Sequence, residues 1–249
     1  MTDEQRRRRL YIFGGVILAV IVIVGIVIAV SSGGGSGTSS STTAASAPKT
    51  ASNPSGMKGV SAIKSEFAGI PQNDNVLGDP NAKATMMVFA DLQCPFCAEF
   101  ENNAFPAIVK RYVRPGRLKV VFQPIVIIGN DSILGARAAA SAGQQNKLFE
   151  YAATVYRNQG KENSGYLNQD YVKKVGSSVS GLDVNKLVAN LKTAPVNKLL
   201  NDAQSIATSG HVSSTPTFFV AKAGQPLQQL QVSDLTAGAF SAQLDRVTG

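Results

Sequence analysis

The residues best suited to covalent chemistry in this 249-residue chain are Cys94 and Cys97, its only cysteines. They enclose Pro95 and Phe96 in the run CPFC, at the end of the stretch TMMVFADLQCPFC. On a helix, two thiols at this spacing lie one turn apart on one face, close enough to form a disulfide. Such a pair suits thiol–disulfide exchange, in which a thiolate attacks a sulfur and a second thiol resolves the mixed disulfide.

Other uses of the pair fit less well. Zinc needs about four ligands, and apart from the cysteines the chain holds one histidine, His211, so no metal site is expected. A structural bridge across two residues would constrain the unfolded chain very little, because loop-closure stabilisation grows with loop length. Two merely packed thiols would have no reason to sit at the junction they occupy.

That junction is legible on both sides. Met86 to Ala90 is an unbroken apolar run, as expected of a strand buried on both faces. Asp91, Leu92 and Gln93 turn the chain. Phe100, Phe105, Ile108, Val109 and Tyr112 then recur at helical spacing, with Glu99, Glu101, Lys110 and Arg111 at the polar positions. Cys94 is therefore expected in the first turn of a helix, where unpaired N–H groups and the positive end of the macrodipole favour a thiolate. Pro95 suits that turn, because its missing N–H would have no partner there. Cys94 reads as the attacking sulfur and Cys97 as the resolving one, shielded by the helix.

The elements that must position this pair follow in order. Residues 57–83 read as a short helix or strand and a hairpin. Pro106 is expected to kink or split the helix that follows Cys97. Pro115-Gly116 marks a turn, and Leu118 to Ile128 reads as a second buried strand, parallel to the first. Residues 132–210 carry four or five Ala- and Leu-rich helical segments. Thr217 to Val220 is a β-rich run, followed by a strand at Leu227 to Val232 and a last helix from Leu235 to Val247.

Ahead of this globular part lie three unlike segments. Residues 1–9 are polar and end in Arg6 to Arg9. Leu10 to Val30 is apolar or glycine throughout, and as a helix it would span about 32 Å, matching a hydrocarbon core of about 30 Å. It reads as one uncleaved transmembrane helix, since a cleavable signal has a shorter apolar region. The preceding arginines orient the N-terminus to the cytoplasm and everything after Val30 to the far side. Residues 31–56 are almost wholly Gly, Ser, Thr and Ala, a composition that makes a flexible linker rather than a core. Residues 57–249 form the catalytic domain.

The chain carries a net charge of +8. Residues 1–30 hold four of the 24 basic and two of the 16 acidic residues, leaving a net +6 beyond them. These charges are spread without a basic run or an aromatic stacking platform, which argues against nucleic-acid binding. Outside the cytoplasm thiols can stay oxidised, so a lone CxxC there points to catalysis on other proteins' disulfides.

Taken together, CPFC after an apolar strand, the following FENNAFPAIVKRYV, the helical block and Ser214-Thr215-Pro216-Thr217-Phe218-Phe219 resemble the DsbA-like thiol:disulfide oxidoreductases. The resemblance covers about residues 60–249. It implies an α/β, thioredoxin-like fold with an inserted α-helical domain over about 132–210, preceded here by the transmembrane helix. It implies Cys94 as nucleophile, Cys97 as resolving cysteine, a cis Pro216 facing the CxxC, and Thr215 offering its backbone to an extended substrate. Asp91 matches an acidic position linked in part of the family to proton handling; its other reading is a turn or capping carboxylate. No cofactor is implied beyond the Cys94–Cys97 disulfide. The implied partners are exported proteins and a membrane quinone-linked redox partner. Two departures stand out: Ser214 replaces the usual Gly, and Phe96 stands where strong oxidants carry His. A reductase or isomerase of the same fold, and a binding module without redox turnover, remain as alternatives.

Overall fold

The computed structural model describes residues 56–249. The expected transmembrane helix over residues 10–30, and all but the last residue of the expected linker, lie outside the described residues. Within them no helix is long and apolar enough to cross a membrane.

The chain runs through α1 (Val60–Phe67), β1 (Gln72–Asn73), β2 (Val76–Leu77), β3 (Ala84–Ala90), α2 (Pro95–Asn103) and α3 (Phe105–Ile108). A π-helical turn (Val109–Val113) leads to β4 (Leu118–Pro124). Five helices follow: α4 (Asn130–Gly143), α5 (Leu148–Arg157), α6 (Gln169–Ser178), α7 (Val184–Ala189) and α8 (Ala194–Ser209). The chain closes with β5 (Thr217–Lys222), β6 (Gln228–Leu230) and α9 (Ala237–Thr248).

The strands form one sheet in the order β1-β2-β4-β3-β5-β6. The β3–β4 pair is parallel, and β5 runs antiparallel to β3. β3 thus has a strand on each side and a layer on each face, which is why its sequence reads as an unbroken apolar run. Met86, Val88 and Ala90 face the main core, whereas Met87 and Phe89 join Ala203 and Ala207 of α8 on the other face. An aromatic knot ties α2 to the sheet and to α9: Phe100 lies 4.7 Å from Phe218 and 5.3 Å from Phe240 between ring centroids.

Several boundaries differ from the sequence expectation. The helix after Cys97 divides at Ala104, and Pro106 stands in the first turn of α3, where it sacrifices no helical hydrogen bond. The second strand stops at Pro124 rather than Ile128, because the N–H groups of Ile127 and Ile128 turn to the Asp91 carboxylate instead of a strand partner. β6 is confined to Gln228–Leu230, paired on one side only, and Leu227 is half exposed. α8, the last helix of the block, covers the second face of the sheet and also packs on α4 through Val196, Leu199 and Ala140.

Candidate active site

The sheet register brings the distant parts of the site together. Because β5 is antiparallel to β3 and begins with Thr217 opposite Phe89, Thr215 and Pro216 fall beside the end of β3, where the chain turns toward Cys94. The Thr215-Pro216 bond is cis. As a thiol, Cys94 donates from Sγ to the Thr215 carbonyl at 3.3 Å, across 121 positions of sequence.

Asp91 organises the turn from β3 into α2. It is fully buried, and its carboxylate accepts the N–H of Gln93 at 2.9 Å, of Ile127 at 2.8 Å and of Ile128 at 2.9 Å. A carboxylate in that position ties the exits of the two parallel strands together. The Asp91 carbonyl accepts the Cys94 N–H at 3.0 Å and the Tyr156 hydroxyl at 3.2 Å.

Side chains from the helical block complete the clamp. The Gln159 amide donates to the carbonyls of Leu92 at 3.0 Å and Cys94 at 3.2 Å. Gln93 is buried; it donates to Ser132 Oγ at 2.9 Å and accepts the Asn163 N–H at 2.8 Å. Gly129 permits the close approach of Asn163, since a Cβ at residue 129 would stand 2.2 Å from Asn163 Oδ1.

Cys94 occupies the N-cap of α2 in extended conformation rather than its first turn, with Pro95 at the first helical position. Its side chain is nearly covered, and so is that of Cys97, at 3% and 1% exposed respectively. Both thiols are free. Their environments differ in sign. A hydrogen bond from the Cys97 thiol lowers the Cys94 pKa to about 6, aided by the Thr215 side chain and the backbone N–H groups of Cys97 and Phe96, and opposed by burial. Burial pushes Cys97 well above its ordinary range, and the Cys94 sulfur adds to the effect. One sulfur is therefore a thiolate at neutral pH and a good leaving group, while its neighbour stays protonated.

Phe96 is 60% exposed. It borders an open groove of about 260 Å³ that runs over Ser214, Thr215, Pro216, Thr217 and Phe218 to Gln229 and Leu230 of β6. A second cleft of about 290 Å³, lined in part by Ile63, Phe67 and Glu150, contains neither cysteine. His211 sits in the exposed turn after α8 with φ 54°, and no described hydrogen bond joins it to the thiols.

The structure thus gathers Asp91, Cys94, Pro95, Phe96, Cys97, Thr215 and Pro216. It adds Tyr156, Gln159 and Asn163, which carry no local signal, and gives Gln93, read only as part of the turn, its buried partners. Only the fold shows that a polar residue some 65 positions away faces the turn.

A family model described as Thioredoxin matches residues 71–233. The probable disulfide bond formation protein D of Bacillus cereus is 24% identical over 147 residues, which are 58% of this chain and 68% of that relative. Among solved structures, oxidised BdbD from Bacillus subtilis superposes with a TM-score of 0.61 at 18% identity, covering 72% of this chain and 97% of that one. Alpha-DsbA1 from Wolbachia pipientis gives 0.60 at 21%, covering 74% and 96%. The chain belongs to the thioredoxin family, and the relatives and solved structures it is similar to are disulfide bond formation proteins of that fold.

Proposed function

We propose that this enzyme is anchored in the cell membrane by residues 10–30 and passes a Cys94–Cys97 disulfide to exported proteins as they fold outside the cytoplasm. The observation that carries this reading is the contrast between the two thiols. With a pKa of about 6, Cys94 favours the thiolate about ten to one at pH 7.

A substrate thiolate attacks Cys94 Sγ, the bond to Cys97 breaks, and its electron pair stays on the Cys97 sulfur. A second substrate thiolate then attacks the substrate sulfur of the mixed disulfide and expels Cys94 as a thiolate. The substrate gains a disulfide and the enzyme two electrons. The groove beside Phe96 offers the extended substrate chain a seat, with the Thr215 backbone as its pairing partner and Pro216, lacking an N–H, next to it. Asp91, with three backbone N–H groups on its carboxylate, serves to hold the turn rather than to move protons.

The redox direction is oxidation of moderate strength. Nucleophilic cysteines of this kind range from a pKa of about 7 in thioredoxin to about 3.5 in DsbA, and the value of about 6 here lies nearer the former. The nearness to thioredoxin is what keeps a reductase or isomerase as the second reading. Reoxidation falls to a quinone-linked membrane partner in the first reading, and electrons arrive across the membrane in the second.

Replacing Cys94 with Ser is expected to abolish exchange with a test peptide, and Cys97→Ala to accumulate mixed disulfides on non-reducing gels. Full activity of Cys94→Ser would leave only a non-redox binding role. A measured reduction potential near about −120 mV marks the oxidant, and one near about −270 mV the reductant. An impermeant thiol reagent should label Cys94 on intact, reduced cells; labelling only after lysis would reverse the proposed topology.

A further inference from the structure

The basic residues that are scattered along the sequence are gathered by the fold. Lys83, Arg117 and Lys222 stand side by side where three strands meet: the Ala84 N–H donates to the Arg117 carbonyl at 3.2 Å, the Ala223 N–H donates to the Lys83 carbonyl at 2.7 Å, and Lys222 lies opposite Ala84 in the β3–β5 register. Lys119 follows on β4 and reaches the Pro80 carbonyl at 2.8 Å. The π-helical turn adds Lys110 and Arg111, with Arg114 just after it. The guanidinium groups of Arg111 and Arg117 each lie 5.2 Å from the centre of the Tyr112 ring, and Arg117 donates to the Arg111 carbonyl at 2.8 Å. Arg246 of α9 follows Asp245, the partner of Arg111.

Few carboxylates share this end of the domain. Asp79 lies beside Gly116, and Asp245 pairs with Arg111 at 2.8 Å. Glu66, whose carbonyl Arg114 binds at 2.7 Å, gives its carboxylate to Arg157. Residues 56–249 hold 19 basic and 14 acidic side chains. Eight of the basic and two of the acidic ones stand here, so 11 basic face 12 acidic side chains over the rest of the domain. The net positive charge therefore sits at one end. It is the end away from the cysteines, because the seven residues of β3, roughly 23 Å of strand, run from Lys83 to the turn at Asp91.

A second feature occupies the same end. The hairpin that joins Lys222 to Gln228 carries Leu227, which is 40% exposed. An exposed leucine amid lysines and arginines suits the interface of a bilayer, where headgroups meet the cations and the acyl boundary receives the apolar side chain. A polyanion dissolved in water would meet the cations alone.

We propose that this basic end seats on anionic lipid headgroups of the membrane that anchors the protein, and so turns Cys94 and the groove beside Phe96 away from the bilayer toward exported chains. The inference rests on the anchor reading of residues 10–30. In that reading the 26 residues from 31 to 56 span roughly 28 Å as a Gly/Ser-rich coil, enough for either end of the domain to meet the surface. The tether sets the distance, and the charge sets the orientation. The attraction is screened beyond about 8 Å at physiological salt, so the domain leaves the surface readily when its cysteines must face a redox partner in the membrane.

The test is lysine acetylation, read residue by residue, on the full chain reconstituted in discs of phosphatidylcholine alone or with phosphatidylglycerol added. Acetylation of Lys83, Lys110 and Lys222 should slow at least about threefold in the anionic discs, while Lys161, near the cysteine turn, reacts alike in both. The protection should vanish at about 1 M salt, where screening acts within about 3 Å. Lys110→Glu with Lys222→Glu should return Lys83 to its rate in phosphatidylcholine and leave exchange with glutathione unchanged. Leu227→Ser should weaken the protection. Equal labelling in the two kinds of disc overturns the inference, as does equal protection by soluble polyphosphate in phosphatidylcholine discs that Leu227→Ser leaves unaltered. Loss of the protein from both discs on washing strikes the anchor reading instead. The full chain should then still sediment with phosphatidylglycerol vesicles, and its failure to do so overturns the inference as well.

Discussion

On one side of the Cys94 sulfur, residues 91–94 are bound by side chains from across the fold: Tyr156 on the Asp91 carbonyl, Gln159 on the Leu92 and Cys94 carbonyls, Ser132 and Asn163 on Gln93. On the other side, Ser213 and Ser214 are exposed, and apart from the Cys94 thiol on the Thr215 carbonyl one side-chain bond, from Thr217 Oγ1 to the Ser214 carbonyl at 2.7 Å, stiffens the approach to Pro216. Phe96 extends from this second side into solvent. Buried backbone groups must be satisfied inside the protein, and the helical block supplies that satisfaction for the cysteine turn. The groove side leaves surface free for another chain. The inserted helices therefore act as the mould that holds the nucleophile, and the cis-proline side as the surface that receives a substrate.

The sharpest way to break this contrast is to remove the centre of the clamped side. Asp91→Ala leaves the N–H groups of Gln93, Ile127 and Ile128 without their acceptor and should cost roughly 3–5 kcal/mol in urea unfolding. A loss within about 0.5 kcal/mol would show that the turn holds without its carboxylate.

The next effect tests the electrostatics rather than the scaffold. The folded-state pKa of Cys94, about 6, lies below its unfolded value of about 8.5. The thiolate therefore stabilises the reduced protein fully above the unfolded pKa, and this stability is lost as pH falls through the folded one. The stability of the reduced form relative to the oxidised form should rise by roughly 2 kcal/mol between pH 6 and 8. Parallel unfolding curves of the two redox forms measure it, and a flat difference would contradict the environment described for Cys94. Alkylation of Cys94 should inflect near the same pH while Cys97 remains unreactive.

Tyr156→Phe removes one bond of the clamp, to the Asp91 carbonyl, and should cost about 1–2 kcal/mol without affecting peptide selection. Phe96→Ala probes the open side and should behave in the opposite way. Stability should change by no more than about 0.5 kcal/mol, while exchange with apolar peptides slows severalfold and exchange with glutathione stays as it was. A Phe96→Ala variant that loses stability but keeps its peptide preference would remove the distinction between the two sides.

Much of this site was legible because its core is local. An apolar run ending four residues before a CxxC, with Pro95 between the cysteines, specifies a strand, a turn and a helix start through backbone preferences that act over a few residues. The place of Thr215 and Pro216 was legible only through the family resemblance, since nothing in their own neighbourhood points to residue 94. Glu101 was read as one of the polar positions of its helix. Its spacing from Cys97 put the two on one face, but spacing alone does not say whether a face meets water or the core.

Sequence by itself therefore determined which residues carry the chemistry and the short elements that hold them, because helix starts, proline positions and i, i+3 spacing are set by steric and hydrogen-bonding terms within a few residues. Tertiary structure alone decided that β5 begins opposite Phe89, that Gln159 and Asn163 reach the cysteine turn, and that Glu101 faces a cavity shared with Cys97. Those outcomes depend on which surfaces are removed from water together, and the opposite ionisation of two identical thiols three residues apart follows from them: hydrogen bonds hold Cys94 down against its burial, while burial pushes Cys97 up.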